Sequence, residues 1–179
     1  MAPLHATPPA LALRAALPAD VGYVAALGTD PLVEPFLAPG VADEERLRAL
    51  LRGPEAARDD PTGLLVIEFE GGAAVGALAL QLVSARSRIA ELTRLMVSPD
   101  RRGSGIATAA VRLACRRAFA EHGVHRVQAE TYGDNASGQR VFERAGFTRE
   151  GTRRRAYRRR EQWIDGVLYG LLAEELPTG

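Results

Sequence analysis

Short apolar runs alternate with turn residues along almost the whole chain, and their periods separate strands from helices. Leu11 to Ala15 reads as a first strand, and Pro18 opens a helical segment to about Leu27. Gly28 to Gly40 contains Pro31, Pro35 and Pro39 and has no clear period, so it is a loop. Asp43 stands where it can cap a helix of about Glu44 to Arg52, followed by a second loop from Gly53 to Gly63. Gly63 to Phe69 and Ala73 to Val83 flank the pair Gly71-Gly72, which signals a hairpin. Arg88 to Val97 is the next strand. From Ser104 to His122 a helical period places Ile106, Ala109, Ala110, Leu113, Ala114 and Phe119 along one face, and Gly123 ends it. Arg126 to Thr131 is a strand. Asn135 or Asp134 then caps a helix to about Ala145, with Gly146 at its end. Phe147 to Tyr157 and Trp163 to Leu172 read as a final antiparallel pair. This order predicts one α/β domain over residues 11–176 with a mostly antiparallel sheet, preceded by a flexible tail at 1–10.

The junction Leu95 to Thr108, L-M-V-S-P-D-R-R-G-S-G-I-A-T, carries the clearest chemistry. An apolar run stops at Pro99. A basic pair and a glycine turn follow, and a helix begins. The first helical N–H groups lack internal partners and sit at the positive end of the helix dipole, so such a junction binds anions. Glycine lets the backbone take unusual angles and come close to a ligand. The expected ligand is phosphorylated.

Composition narrows the choice. The 179 residues are 46% hydrophobic and 25% charged, which fits one globular domain with a sizeable core. There is no run of 18 apolar residues, so no membrane span is expected. The first ten residues lack a basic, then apolar, signal pattern. One cysteine, Cys115, excludes an internal disulfide framework, and mid-helix it reads as packing. His5, His122 and His125 have no ligand spacing, so no metal is expected. Together these features point to a cytoplasmic protein. All 23 basic residues are arginine, which excludes a Schiff-base lysine, a lysine base and a P-loop. Residues 1–90 hold seven Arg against eleven Asp and Glu, a net −4. Residues 91–179 hold sixteen against eleven, a net +5, so anion binding belongs to the second half.

A dinucleotide fingerprint fits the turn poorly, because Thr108 stands at its third small position. The pattern [Q/R]-x-x-G-x-[G/A] is met by Arg102, Gly105 and Ala107. Further on, Asn135 is followed eleven residues later by Gly146-Phe147, in the string N-A-S-G-Q-R-V-F-E-R-A-G-F. With these two features the chain resembles the GNAT superfamily of acetyl-coenzyme A-dependent N-acetyltransferases, over roughly Leu11 to Glu175 and most strongly from Glu91. Glu150-Gly151, an arginine-bearing strand, Asp165 and the ending L-Y-G-L-L-A-E-E are similar to the RimJ/RimL branch, which modifies protein N-termini.

The resemblance implies a GNAT fold, an α/β structure with a mixed, mostly antiparallel, twisted sheet of six to seven strands flanked by about four helices. It implies acetyl-CoA as donor and a primary amine as acceptor, with a protein α-amine favoured. A small-molecule amine (antibiotic, polyamine or amino acid) and a non-catalytic acyl-CoA sensor are the alternatives. A monomer or homodimer is expected. By the family's pattern, the backbone of Gly103, Ser104, Gly105, Ile106 and Ala107 holds the pyrophosphate, helped by Arg101 and Arg102. Leu95, Met96 and Val97 pair with the pantetheine arm, and the N–H of Met96 or Val97 polarises the thioester carbonyl. Asn135 contacts the pantetheine, or only caps its helix.

Glu91, eleven residues before Arg102, is the expected base, directly or through water. It shares a strand face with Thr93, Leu95 and Val97 if the alternation is regular. Phe142 stands beside the cofactor where many members have a tyrosine, and it has no proton to give. The RimJ/RimL branch usually places serine three residues after the Asn. Here that position is Gly138, and Ser137, one residue earlier, is the candidate partner of the leaving thiolate.

The cluster Arg153 to Arg160, R-R-R-A-Y-R-R-R, has two readings. It could meet an acidic acceptor or an RNA-coated surface. The favoured reading is a solvated hairpin with Glu150, Glu161 and Asp165 as counter-charges, and nucleic acid is not an expected partner. Trp163 and Tyr169 are expected in the core or an interface.

Overall fold

A computed structural model describes residues 10–51, 63–69, 72–159 and 161–177. The elements follow the expected order: β1 (Leu11–Ala15), α1 (Val21–Gly28), α2 (Glu44–Arg48), β2 (Gly63–Phe69), β3 (Ala74–Ser84), β4 (Ile89–Val97), α3 (Ile106–His122), β5 (Arg126–Tyr132), α4 (Ala136–Ala145), β6 (Thr148–Arg159) and β7 (Gln162–Leu172). Tail residues 1–9, most of the loop between Gly53 and Gly63, Gly71 of the expected hairpin turn and Arg160 lie outside the described residues.

The seven strands form one sheet in the order β1-β2-β3-β4-β5-β7-β6. Every neighbouring pair is antiparallel except β4 and β5. A parallel pair cannot be closed by a hairpin, and α3 makes the crossover between these two strands. β2 and β3 are buried on both faces, whereas β6 is mostly exposed. Leu78, Leu80, Ala90, Leu92, Val127 and Ala129 pack with α3 and α4. Leu64, Val66, Ala77, Ala79 and Met96 pack with Val21, Val24 and Leu27 of α1 and Leu47 of α2.

Helix ends follow local chemistry. The Asp43 carboxylate accepts the Arg46 N–H at 3.0 Å and caps α2. That helix stops earlier than its sequence pattern, at Arg48. Leu50 and Leu51 tighten into i→i+3 turns, and the Leu50 carbonyl accepts the Leu64 N–H at the start of β2. Gly123 and Gly146 close α3 and α4 in the left-handed region.

The face of α3 is rotated from the expected one. Ala109 is exposed and Leu113 only half-buried, whereas Val111, Cys115 and Ala118 are buried with Ile106, Ala110 and Ala114. Small alanines surround the helix and leave its stripe ambiguous, so contact with the sheet and α4 decides it. Burial pushes the Cys115 thiol up to about 12, which fits packing rather than nucleophilic chemistry. Tyr169 is a core residue at 1% exposure, while Trp163 is 61% exposed. No helix among the described residues is long and apolar enough to cross a membrane.

Candidate functional site

The site is built on an irregularity in β4. Ala79 faces Thr93 and Ala77 faces Met96, so three steps along β4 match two along β3. This bulge centres on Arg94, which holds a left-handed φ of 53°. A non-glycine residue there costs about 1–2 kcal/mol, and such strain gathers at functional sites. The extra residue breaks the alternation. Before it, Ala90 and Leu92 face α3 and α4, so Glu91 and Thr93 face the other side. After it, Leu95 and Val97 face α3 and α4. Glu91 therefore does not share a face with Leu95 and Val97, as regular alternation would have it.

β4 and β5 pair only from Ile89 opposite Arg126 to Leu92 opposite Ala129. Both strands run on past that point, and two clefts occupy the divergence. The first, of about 320 Å³, is lined by Leu95, Met96 and Val97 on one side and by the turn before α3 on the other. Met96 contributes backbone, since its side chain is buried in the opposite core layer. In the turn, Gly103 and Gly105 have φ of 76° and 82°. A Cβ at either would meet nothing within 4 Å, so backbone conformation is what demands glycine here. Gly105 is the N-cap of α3 and supplies no side-chain cap, so the N–H groups of the first turn are left for a ligand. Arg101, Arg102, Ile106 and Ala107 also line this cleft. Ser104 does not; its hydroxyl donates to the Arg101 carbonyl at 2.6 Å and braces the turn.

Asn135 and Ser137 stand across the cleft. The Asn135 amide is committed on both sides, its Oδ1 accepting the Gly138 N–H at 2.9 Å and its Nδ2 donating to Thr131 Oγ1 at 3.1 Å. It is thus the helix cap and part of the wall at once. A Cβ on Gly138 would lie 2.6 Å from Asn135 Nδ2, so the committed Asn135 amide leaves no room for a side chain at this position. Ser137 is exposed at the wall, 3.4 Å from Arg140 Nη2. Phe142 is placed elsewhere. It is 5% exposed and packs on Phe147 and Tyr169, with ring centroids at 5.3 and 5.4 Å, so it belongs to the core and not to the cleft wall.

The second cleft, of about 310 Å³, contains Glu91, Thr93, Arg94, Glu130, Tyr132 and Tyr157. Phe36 and Leu37 line both clefts and form a shared roof. Gln128 donates to Glu91 Oε1 at 3.3 Å. Arg153 donates to Glu130 Oε2 at 3.0 Å. Glu130 Oε1 is buried with no hydrogen bond of ordinary geometry, although the carboxylate lies close enough to Tyr157 to raise its phenol. Burial first, and Glu130 second, push Tyr157 up to about 12. Gly166 makes room for this pair, since a Cβ there would collide with Glu130 Oε1 and crowd Tyr157.

Sequence reasoning missed Phe36, Leu37, Glu130 and Tyr157. A signal existed for Glu130: Val127 and Ala129 alternate with Gln128, Glu130 and Tyr132, giving β5 one apolar and one polar face. It also missed Arg140 and Arg144, which lie one helical turn apart on the α4 side of the first cleft. Much of the arginine cluster is paired: Arg153 with Glu130, Arg158 with Glu161, and Arg159 with Glu34. Glu150 pairs instead with Arg126, which holds its carboxyl below the usual range. No group of three or more His, Cys, Asp and Glu among the described residues could hold a metal.

Comparison with known proteins agrees with this architecture. A stretch of 70 residues is 39% identical to the probable N-acetyltransferase YjcK of Bacillus subtilis (strain 168), covering 39% of this chain and 39% of that protein's length. The structure of Mycobacterium smegmatis RimJ in complex with CoA-disulfide superposes with a TM-score of 0.76 at 26% identity, over 94% of this chain and 85% of that one. The Vibrio cholerae spermidine N-acetyltransferase in complex with CoA and spermine gives a TM-score of 0.79 over 92% of this chain and 96% of that one. At 19% identity that likeness is one of fold. Residues 10–148, well over half of the chain, match the profile of the acetyltransferase (GNAT) domain. The chain belongs to the GNAT acetyltransferase domain family.

Proposed function

We propose that this protein transfers the acetyl group of acetyl-CoA to a primary amine, and that the acceptor is the α-amine of a protein N-terminus. One observation carries the reading: the Arg94 bulge divides β4 between two clefts that meet under Phe36 and Leu37. One cleft has the features a pyrophosphate and an extended thiol arm require, and the other offers carboxylates to an amine. The likeness to Mycobacterium smegmatis RimJ, at 26% identity and in complex with CoA-disulfide, supports a CoA donor, and the resemblance of the last third of the chain to the RimJ/RimL branch supports the α-amine acceptor.

In this mechanism the uncapped first turn of α3, with Arg101 and Arg102, holds the pyrophosphate. The open edge of Leu95 to Val97 pairs with the pantetheine arm, and the N–H of Met96 or Val97 polarises the thioester carbonyl. The neutral amine attacks that carbon, the carbon–sulfur bond breaks, and the thiolate leaves. Glu91 takes the ammonium proton of the acceptor before attack, directly or through water, and the proton that the nitrogen sheds after attack goes to the departing thiolate. An α-amine has a pKa of about 7.7–8.0, so this demand is modest. Ser137, on the wall of the first cleft, is the candidate hydroxyl for the thiolate, and a thiol pKa of about 8.5 lets it leave with little help. Phe142, buried and without a proton, plays no part in that step.

The absence of a tyrosine acid at Phe142 favours one alternative, an acyl-CoA sensor that does not turn over. Release of free thiol from acetyl-CoA, followed with N-terminal peptides, polyamines and aminoglycosides as acceptors, separates the readings. Saturable release with peptides supports the proposal. Tight acetyl-CoA binding without release on any amine overturns it in favour of the sensor.

A further inference from the structure

The arginine cluster of β6 is not used by the transfer step, yet two of its members reach residues of the second cleft, Arg153 at Glu130 and Arg159 at Leu37 and Tyr132. Arg153 donates to Glu130 Oε2 at 3.0 Å, and its guanidinium lies 5.9 Å from the Tyr157 ring centroid. Glu130 is one of two carboxylates in that cleft wall, the other being Glu91. Against them stand Arg94 in the same wall and Arg153 on Glu130. At the roof, Arg159 lies 4.6 Å over the Tyr132 ring and 4.0 Å from the Glu34 carboxylate. Arg46 adds positive field at Arg94. The cleft therefore has carboxylates but no excess of negative charge. A single ammonium or neutral amine can be received there. A polycation gains no net attraction, and its second charge meets a guanidinium.

We propose that Arg153 is a specificity-determining residue of the acceptor cleft, which excludes polyamines by neutralising Glu130 and so selects acceptors with one amine. This rests on reading the Glu91 cleft as the acceptor site. Specificity here comes from a repulsive element as much as an attractive one. The geometry gives Arg153 this position, whereas Arg158 is turned to Glu161 and Arg159 holds the roof.

The test measures binding, so it does not depend on turnover. Dissociation constants for spermidine and for alaninamide, a single α-amine, are measured by NMR titration of the CoA-bound protein in wild type, Arg153→Gln and Arg153→Lys. Arg153 is more than half exposed, so neither change empties the core. The Gln variant is expected to shift preference toward spermidine by about tenfold, the scale of one charge near a protein surface. The Lys variant keeps the wild-type preference, and added salt shrinks the gain of the Gln variant. An unchanged preference in the Gln variant, or an equal shift in the Lys variant, overturns the proposal. Absence of thiol release alongside the expected shift would strike the transfer reading and leave this one standing.

Discussion

Arg159 donates to the backbone carbonyl of Leu37 at 2.7 Å, joining residues 122 apart in sequence. The same guanidinium lies over the Tyr132 ring at 4.6 Å, and its side chain is only 13% exposed. One residue of the final hairpin thus pins the roof that covers both clefts. Arg159→Ala is expected to destabilise the fold by about 1.5–3 kcal/mol, the scale of a hydrogen bond to a charged group. It should also raise KM for the acceptor more than for acetyl-CoA. Hydrogen exchange rising more at residues 34–38 than in β2 and β3 would confirm a local release of the roof.

The glycine turn makes a sharper demand on conformation than on space. A methyl group at Gly105 meets nothing within 4 Å, but φ is 82°. Gly105→Ala is therefore expected to lower stability by about 1–2 kcal/mol through backbone strain and to weaken acetyl-CoA binding, because the strain is relieved by moving the N–H groups that would hold the pyrophosphate. Gly22→Ala, where a Cβ also meets nothing and no left-handed angle is needed, should leave CoA affinity unchanged. Calorimetric CoA titration of the two variants checks this.

Restoring the family's tyrosine should not restore an acid. Phe142 is buried against Phe147 and Tyr169, so the hydroxyl of Phe142→Tyr would enter an apolar layer. The expected outcome is a loss of about 1–3 kcal/mol for an unsatisfied buried hydroxyl and no gain in kcat. Urea denaturation beside steady-state kinetics decides it, and a faster enzyme would show that the ring reaches the thiol.

Acid should weaken the edge of the sheet through Asp20. Its carboxylate takes two hydrogen bonds from Arg14, at 2.6 and 2.9 Å, and one from the Leu17 N–H at 2.7 Å. Arg14, chiefly by hydrogen bonding, holds the carboxyl below its usual range against the opposing effect of burial. A depressed folded pKa gives stability that is complete above the ordinary carboxylate range and is lost as pH falls through the folded value. The urea midpoint of the wild type should fall more steeply below about pH 4 than that of Asp20→Asn, and equal slopes would contradict the assignment.

Much of this architecture is legible in the sequence because local chemistry fixes it. Asn135 and Gly146 mark the ends of α4 by cap rules, and the run from Leu95 to Ala107 marks a strand, an anion turn and a helix start. The bulge at Arg94 is invisible, because arginine carries none of the preference for left-handed angles that glycine or asparagine would announce. Its effect is large, since one inserted residue moved Glu91 into a different cleft from Leu95. The second cleft was unreadable for another reason. Phe36, Glu91, Glu130 and Tyr157 come from four separate segments: the parallel pairing of β4 with β5 sets Glu91 near Glu130, the β5-β7-β6 order adds Tyr157, and Arg159 holds the roof beside Phe36.

The role given to Glu91 has a kinetic signature. Glu91→Gln is expected to lower kcat at neutral pH by about 10²-fold, the lower range for a lost general base. The deficit should shrink as pH rises above the pKa of the acceptor amine, which then arrives already deprotonated. A deficit constant across pH would mean that the side chain positions rather than accepts.

The most direct test is a crystal structure with a bisubstrate ligand in which CoA is joined through an acetyl bridge to the N-terminus of a short peptide. The pyrophosphate should lie on the first turn of α3 and the pantetheine arm along Leu95 to Val97, and the peptide should enter the Glu91 cleft with its nitrogen within one water of that carboxylate. A pantetheine arm away from the β4 edge, or a peptide outside the cleft of Glu91 and Glu130, would contradict the account.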